Sequence, residues 1–228
     1  MQGLIWAVVP AAGIGRRMGA DVPKQYLKLD AQCVLEHTLA RLCGHRAVSG
    51  VVVAVAAEDR HFATLPIAAD VERVVGGTER ADSVLNALDY LCGQGRDDDW
   101  AMVHDAVRPC VHGDDLDRLV EYSRAHDRGA ILAAPVRDTM KRVDQGRITA
   151  TVAREDLWHA LTPQLFPLHA LRAALLAARA DGVSVTDEAQ AMERAGHAPA
   201  VVQGRADNIK ITRAEDLELA ALFMRRMG

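Results

Sequence analysis

Apolar residues recur along this chain in two alternating forms. Short apolar runs, Leu4 to Val9, Gly50 to Ala56, Ala101 to His104 and Ala130 to Ala134, together with the valine-rich Val71 to Val75, predict strands. The first carries no charge and no apolar–polar alternation, so it reads as a strand buried on both faces, as in a parallel sheet. Between the runs, apolar residues fall at helical spacing: Val34, Leu35, Leu39 and Leu42 up to Gly44, then Val84, Leu85, Leu88 and Leu91, then Leu116, Leu119 and Val120. Later helices are predicted over Leu168 to Arg179, Ala189 to Arg194 and Leu217 to Met224, the last opened by a capping box of Thr212 and Glu215. A short strand near the end is predicted to carry Lys210. Repeated βα units predict an α/β fold, a Rossmann-like, mostly parallel sheet with helices on both faces and ligands at the carboxyl ends of its strands.

One segment departs from that pattern. From Val136 to Arg154, polar and apolar residues alternate around Asp144-Gln145-Gly146, which predicts a protruding β-hairpin arm with a glycine-containing loop. The segment carries Arg137, Lys141, Arg142, Arg147 and Arg154 against Asp138 and Asp144, so it is positive inside a chain whose net charge is −4. A two-stranded hairpin is marginal in water by itself. It is therefore expected to pack on a second subunit, with a solvated edge hairpin as the alternative.

The 228 residues fit one domain, 1–228, with the arm at about 136–154, and a hydrophobic content of 50% is ample for its core. The negative balance argues against nucleic acid as a partner. Cys33, Cys43, Cys92 and Cys110 form no C-x-x-C pair and no metal-ligand spacing, and are expected to be reduced thiols of a cytoplasmic protein. No basic segment precedes the first apolar run, which Pro10 ends, so no signal peptide is expected. No run approaches the ~18 apolar residues that a membrane helix needs.

Candidate chemistry begins where the first strand stops. Pro10, Ala11, Ala12, Gly13 and Gly15 leave the backbone uncovered, so bare N–H groups can approach a phosphate, and Arg16, Arg17 and Lys24 supply positive charge. The combination suits a nucleoside triphosphate. Gly13, Gly15 and Gly19 also read as G-x-G-x-x-x-G, one residue off the dinucleotide-binding spacing, but Pro23 interrupts the helix that such a loop opens. A plain glycine turn with solvated arginines is the structural alternative. No Walker A sequence occurs.

Further candidates lie at predicted strand ends. Asp105 and Ala106, in His104-Asp105-Ala106-Val107-Arg108-Pro109, follow the Ala101–His104 strand, where a carboxylate can hold Mg²⁺ on a triphosphate, directly or through water. A turn or cap aspartate is the alternative. Gly76 to Ser83 follows the Val71–Val75 strand, and its backbone and Ser83 are placed to read a base or sugar, or simply to cap a helix. Thr186-Asp187-Glu188 opens a helix, where capping is again the simple role. No histidine pair has metal spacing and no Ser-His-Asp nucleophile motif is visible.

Pro10–Met18 with Pro23-Lys24-Gln25-Tyr26, then HDAVRP, APVRDTMKRV, ALTPQLF, TDEAQAME and GRADNIKIT, closely resemble the 2-C-methyl-D-erythritol 4-phosphate cytidylyltransferase family. The resemblance runs from about Ala7 to Leu219 with the motifs in family order. The first loop alone indicates only the wider nucleotidyltransferase superfamily; DTMKR and ADNIK make the match specific. It implies a nucleotide-diphospho-sugar transferase-like sheet, CTP and 2-C-methyl-D-erythritol 4-phosphate as substrates, Mg²⁺ or another divalent cation, and a homodimer.

It also implies roles for residues. Pro10, Ala11, Ala12 and Gly13, with Gly15, Gly77, Ser83 and Ala106, match positions around the nucleotide. Arg17 and Lys24 match the pair that stabilises the α-phosphate during attack, and Asp105 matches the acidic position tied to metal and nucleotide. Arg108, Thr162, Thr186 and Lys210 match positions around the second substrate. Thr139 and Arg154 match arm positions that reach the partner's site, and Arg154 and Lys210 join Arg17 and Lys24 as the expected catalytic set. The family often has an acid near the ribose where this chain has Thr78. A cytidylyltransferase for another polyol phosphate, such as ribitol 5-phosphate, is the nearest alternative. A nicotinamide dehydrogenase is a distant one, since neither its helix nor its ribose-binding acid is supported.

Overall fold

A computed structural model describes residues 3–13, 22–67 and 71–227. In chain order the strands are β1 (Ile5–Pro10), β2 (Lys28–Leu29), β3 (Gln32–Cys33), β4 (Gly50–Val55), β5 (Val71–Val75), β6 (Trp100–Val103), β7 (Ala130–Pro135), β8 (Met140–Asp144), β9 (Arg147–Val152), β10 (Trp158–Pro167) and β11 (Ala200–Gln203). The helices are α1 (Val34–Cys43), α2 (Arg80–Gly93), α3 (Gly113–His126), α4 (Leu168–Ala180), α5 (Glu188–Arg194) and α6 (Glu215–Arg225).

Seven strands form one sheet in the order β11-β7-β10-β6-β1-β4-β5. All run parallel except β10, which is antiparallel to both β6 and β7. Side chains on a strand alternate between faces, so Ile5, Ala7 and Val9 of β1 join one apolar layer with Leu35, Leu39 and Leu42 of α1 and Leu116 and Leu119 of α3. Val8 points into the opposite layer, with Leu85, Leu88 and Leu91 of α2 and Leu171 and Leu175 of α4. Burying a leucine of this kind contributes about 1.5–3 kcal/mol. The runs of β1, β4, β6 and β7 are thus those of inner strands covered on both sides, with β4 and β6 buried along their whole length, whereas β5 is a partly exposed edge strand.

The structure departs from the sequence expectation in the strands β2, β3, β10 and β11, in the backbone at Lys210 and in the cap of α6. The apolar pattern does not predict β10, because a proline in such a run argues against a strand. Here the pairing of β10 with β7 shifts register between Ala160 and Gln164, and Pro163 falls in that gap. Lys210 lies on irregular backbone, not on a strand. The expected Thr212–Glu215 box does not form; Asp216 Oδ2 instead accepts from the Thr212 and Arg213 N–H groups, both at 2.8 Å, and from Thr212 Oγ1 at 3.0 Å.

The arm is the predicted hairpin. Among the described residues β8 and β9 pair only with each other, joined through Gln145 and Gly146 at φ 46° and 78°, the positive values of a mirror-image hairpin turn. Every residue of β8 is exposed, and in β9 only Val152 is partly covered.

The topology also creates a cleft. The chain leaves β1 towards β4 and β5, then crosses back to lay β6 on the other side of β1. The loops after β1 and β6 therefore diverge, and such a switch point leaves a crevice at the carboxyl ends of the strands.

Candidate active site

The crevice is lined by the loop after β1 (Pro10 to Gly13), by Lys24 and Gln25, by the turn from Gly77 into α2, and by Asp105, Ala106, Val107 and Lys210. The first loop is held by its backbone. Ala11 N–H donates to Ala54 O at 2.7 Å, and the buried Gln25 side chain donates to Ala11 O at 2.7 Å. Opposite it, a Cβ on Gly76 would stand 2.6 Å from Ala12 Cβ and 2.8 Å from Ser83 Oγ, and one on Gly77 would overlap Asp82. Only glycine lets the two walls come this close. Ser83 is buried; it accepts from Gly77 N–H at 3.1 Å and donates to Glu79 O at 3.2 Å. Its hydroxyl thus ties the glycine turn to the first turn of α2, whose N-cap is Glu79.

Charge converges on Asp105. Oδ1 accepts from Arg80 Nε at 3.0 Å, while Oδ2 pairs with Lys210 Nζ at 2.9 Å and Arg108 Nε at 3.4 Å. Burial disfavours ionisation, but Arg80, then Lys210 and Arg108, outweigh it and hold this carboxyl well below the usual carboxylate range. Arg80 also grips Glu188 with two bonds, at 2.6 and 3.0 Å, and Arg108 donates to Asn208 O at 2.7 Å. Lys24 Nζ reaches Ile211 O at 3.4 Å, next to Lys210.

A directional chain of hydrogen bonds supports this cluster. His104 Nε2 lies 3.0 Å from Arg108 O, which can only accept, so Nε2 carries the proton in the neutral ring. Nδ1 then accepts from Thr162 Oγ1 at 3.0 Å, and Thr162 Oγ1 accepts from Asp105 N–H at 3.1 Å. The single Thr162 proton is committed to His104.

Residues 5–226 match the family model described as 2-C-methyl-D-erythritol 4-phosphate cytidylyltransferase. The chain belongs to that family. Relatives of that name from Aeromonas hydrophila and Shewanella amazonensis are each 57% identical to it, over 97% and 98% of this chain and 90% and 94% of theirs. The solved 2-C-methyl-D-erythritol 4-phosphate cytidylyltransferase of Francisella tularensis superposes with a TM-score of 0.85 at 35% identity, over 97% of this chain and 100% of that one. A solved 4-diphosphocytidyl-2C-methyl-D-erythritol synthase gives 0.84 at 37%, over 98% and 100%.

Of the residues singled out in sequence, Pro10, Ala11, Ala12, Gly13, Lys24, Gly77, Ser83, Asp105, Ala106 and Lys210 come together in this family member's cleft. Arg108 and Thr162 stand behind it, bonded to Asp105. Thr186 is exposed beside α5, its N–H donating to Gln190 Oε1 at 2.7 Å, and Asp187 caps the helix by accepting from Gln190 N–H at 2.9 Å. Thr139 and Arg154 are exposed on the arm and do not line the cleft among the described residues; Arg154 donates to Arg137 O. Gly15 and Arg17 lie outside the described residues. Sequence reading passed over Arg80, Glu188 and the Asn208 amide. Arg80 and Glu188 are 108 positions apart, and no spacing rule links them.

Burial pushes the His104 imidazole down to about 4 from its ordinary 6.5. Between those values the unfolded chain takes up a proton that the folded chain refuses. Stability is therefore complete above pH 6.5 and falls on acidification, by up to about 1.4 kcal/mol per pH unit. Urea midpoints recorded from pH 7 down to 4.5 check this. A His104→Gln variant, neutral throughout, is expected to lose the slope between pH 6.5 and 5, whereas an unchanged slope would assign the proton uptake elsewhere.

Proposed function

We infer that this protein transfers CMP from CTP to 2-C-methyl-D-erythritol 4-phosphate, giving 4-diphosphocytidyl-2-C-methyl-D-erythritol and pyrophosphate. The observation that carries this is the match over nearly the whole chain, joined to a cleft with bare backbone on one wall and Lys24, Arg80 and Lys210 on the others.

Two polyanions must be held together against their repulsion. A phosphomonoester oxygen attacks the α-phosphorus in line, the bond to the bridging oxygen breaks, and pyrophosphate leaves. The attacking group is already anionic at neutral pH, so no protein base is needed. Catalysis is then positioning and charge stabilisation. Arg17 and Lys24 draw charge from the α-phosphate. Lys210 and the partner's arm, through Thr139 and Arg154, hold the phosphomonoester. The Pro10–Gly13 loop and the glycine turn at Gly77 leave room for a pyrimidine beside their backbone.

Among the described residues no three His, Cys, Asp or Glu side chains are placed to hold a metal ion. Both Asp105 oxygens already face cations, so this carboxylate alone is no metal site. The arrangement does fit Mg²⁺ carried on the triphosphate, which supplies most of the ligands, with Asp105 as the protein donor, directly or through water. Bound there, the ion would neutralise charge on the phosphates.

The exposed arm supports a homodimer. No described helix is long and apolar enough to cross a membrane. The four cysteines, none in a disulfide, fit a cytoplasmic location.

Pyrophosphate release with each nucleoside triphosphate, Mg²⁺ and candidate polyol phosphates tests the assignment. CTP with 2-C-methyl-D-erythritol 4-phosphate is expected to be preferred over UTP and the purine triphosphates. Equal turnover with ATP or GTP, or a clear preference for ribitol 5-phosphate, would overturn it.

A further inference from the structure

The Glu188–Arg80 pair, a buried carboxylate with a guanidinium side chain still 27% exposed, has no step in the chemistry above, yet with Asp105 it joins three walls of the cleft. Arg80 is the first residue of α2 and so belongs to the turn that packs on the Pro10–Gly13 loop. Glu188 is the first residue of α5, two positions after Thr186. Asp105 lies in the loop after β6. One guanidinium ties all three, through Nε to Asp105 Oδ1 and through both terminal nitrogens to Glu188. The Glu188 side chain is 1% exposed, and α5 is itself locked to the sheet, because Gln164 of β10 donates to Asp187 Oδ2 and accepts from Ala189 N–H, each at 2.9 Å.

Among the described residues three cations meet Asp105, and they are not equivalent. Arg80 is anchored at both ends and, among the described residues, is the one partner of Oδ1. Lys210 shares Oδ2 with Arg108, is 40% exposed, and ends a flexible stem. An ammonium point charge can leave one anion for another, while a forked guanidinium fixed by a buried carboxylate cannot. We propose that Arg80, braced by Glu188, is a positioning residue: it is the permanent counter-ion that keeps Asp105 in place while Lys210 moves its charge onto the incoming phosphomonoester. Asp105 thus stands in for the substrate anion until the substrate arrives. This rests on the transfer reaction inferred above.

Arg80→Met, Arg80→Lys and Glu188→Gln are assayed with both substrates varied, beside thermal unfolding. Removing Arg80 makes Asp105 hold Lys210 more tightly, so kcat/KM for the phosphomonoester is expected to fall at least about tenfold in Arg80→Met, with the KM for CTP within about threefold. Arg80→Lys returns the charge without the bridge and recovers part of that loss. Adding Glu188→Gln to Arg80→Met costs less than about twofold more, since Glu188 acts through Arg80. Amine labelling of Lys210, read by mass spectrometry without turnover, is expected to slow several-fold in Arg80→Met.

A rise in the KM for CTP at unchanged kcat would make Arg80 a nucleotide ligand and overturn the proposal. So would unchanged Lys210 labelling in folded Arg80→Met. If Arg80→Met does not fold, folded Arg80→Lys and Glu188→Gln with normal kcat and normal kcat/KM for the phosphomonoester reduce the pair to a structural strut. Absence of CTP turnover in the unsubstituted protein would count against the transfer reaction instead, and the labelling would still report on Arg80.

Discussion

Replacing Lys24 with alanine, or Arg17 with alanine, is expected to lower turnover by about two to three orders of magnitude, the usual cost of losing one preorganised donor to developing negative charge. Lys24 stands on a short helical turn, Lys24–Tyr26, that its neighbours hold in place. Gln25 is bonded to Ala11 O and Tyr26 to Asp59 Oδ2 at 2.8 Å, and both side chains are buried, so Lys24→Ala removes a charge and leaves the anchors. Unfolding should therefore stay cooperative, with the loss in kcat rather than in the amount of folded protein. Lys24→Arg is a poor rescue, because a fork that grips two oxygens does not reproduce an ammonium point charge. Near-normal turnover in either alanine variant would remove that residue from the transfer step, and loss of cooperative unfolding would assign it a structural role.

The second large effect is a recovery. The arm exposes Val143 at 55% and Ile148 at 66%, together with an excess of positive charge, and no strand among the described residues of its own chain extends it. Such a hairpin needs another surface, and a second copy of the chain supplies one by two-fold symmetry. In the proposed homodimer, Thr139 and Arg154 of each arm serve the opposite cleft. A Lys24→Ala chain and an Arg154→Ala chain, each nearly inactive, should then complement one another. In a mixed dimer the intact cleft of one faces the intact arm of the other, restoring one site of two and about half the unsubstituted turnover per heterodimer. Heterodimers purified through two different tags make the measurement. No recovered turnover would show that the site is not shared, and a monomer by sedimentation at working concentration would remove the idea altogether.

Much of this was legible from residue order. Local rules recover β1, β4, β5, β6, β7 and all six predicted helices because both burial and turn chemistry act over a few neighbours. The arm is legible for the same reason, since its turn needs positive φ at Gln145 and Gly146 and its strands alternate around them. Where a long-range partner overrides the local signal, the sequence misleads. β10 survives Pro163 because β6 and β7 flank it and the ladder skips that position. Asp216 wins the helix start from Glu215 by reaching three donors at once.

By itself, the order of residues determined the alternating α/β build, the phosphate-suited loop from Pro10 to Gly13, the charged arm and, through its motifs, the family. What only the tertiary structure decided is the company each charge keeps. Asp105 reads in sequence as a lone metal-side carboxylate, and in space it is the centre of Arg80, Arg108 and Lys210. Thr162 reads as a substrate contact, and in space its proton is committed to His104. Electrostatic and hydrogen-bond partners are chosen by distance through the fold. The seven-stranded sheet brings together residues 25 to 108 positions apart, a juxtaposition that no local periodicity encodes.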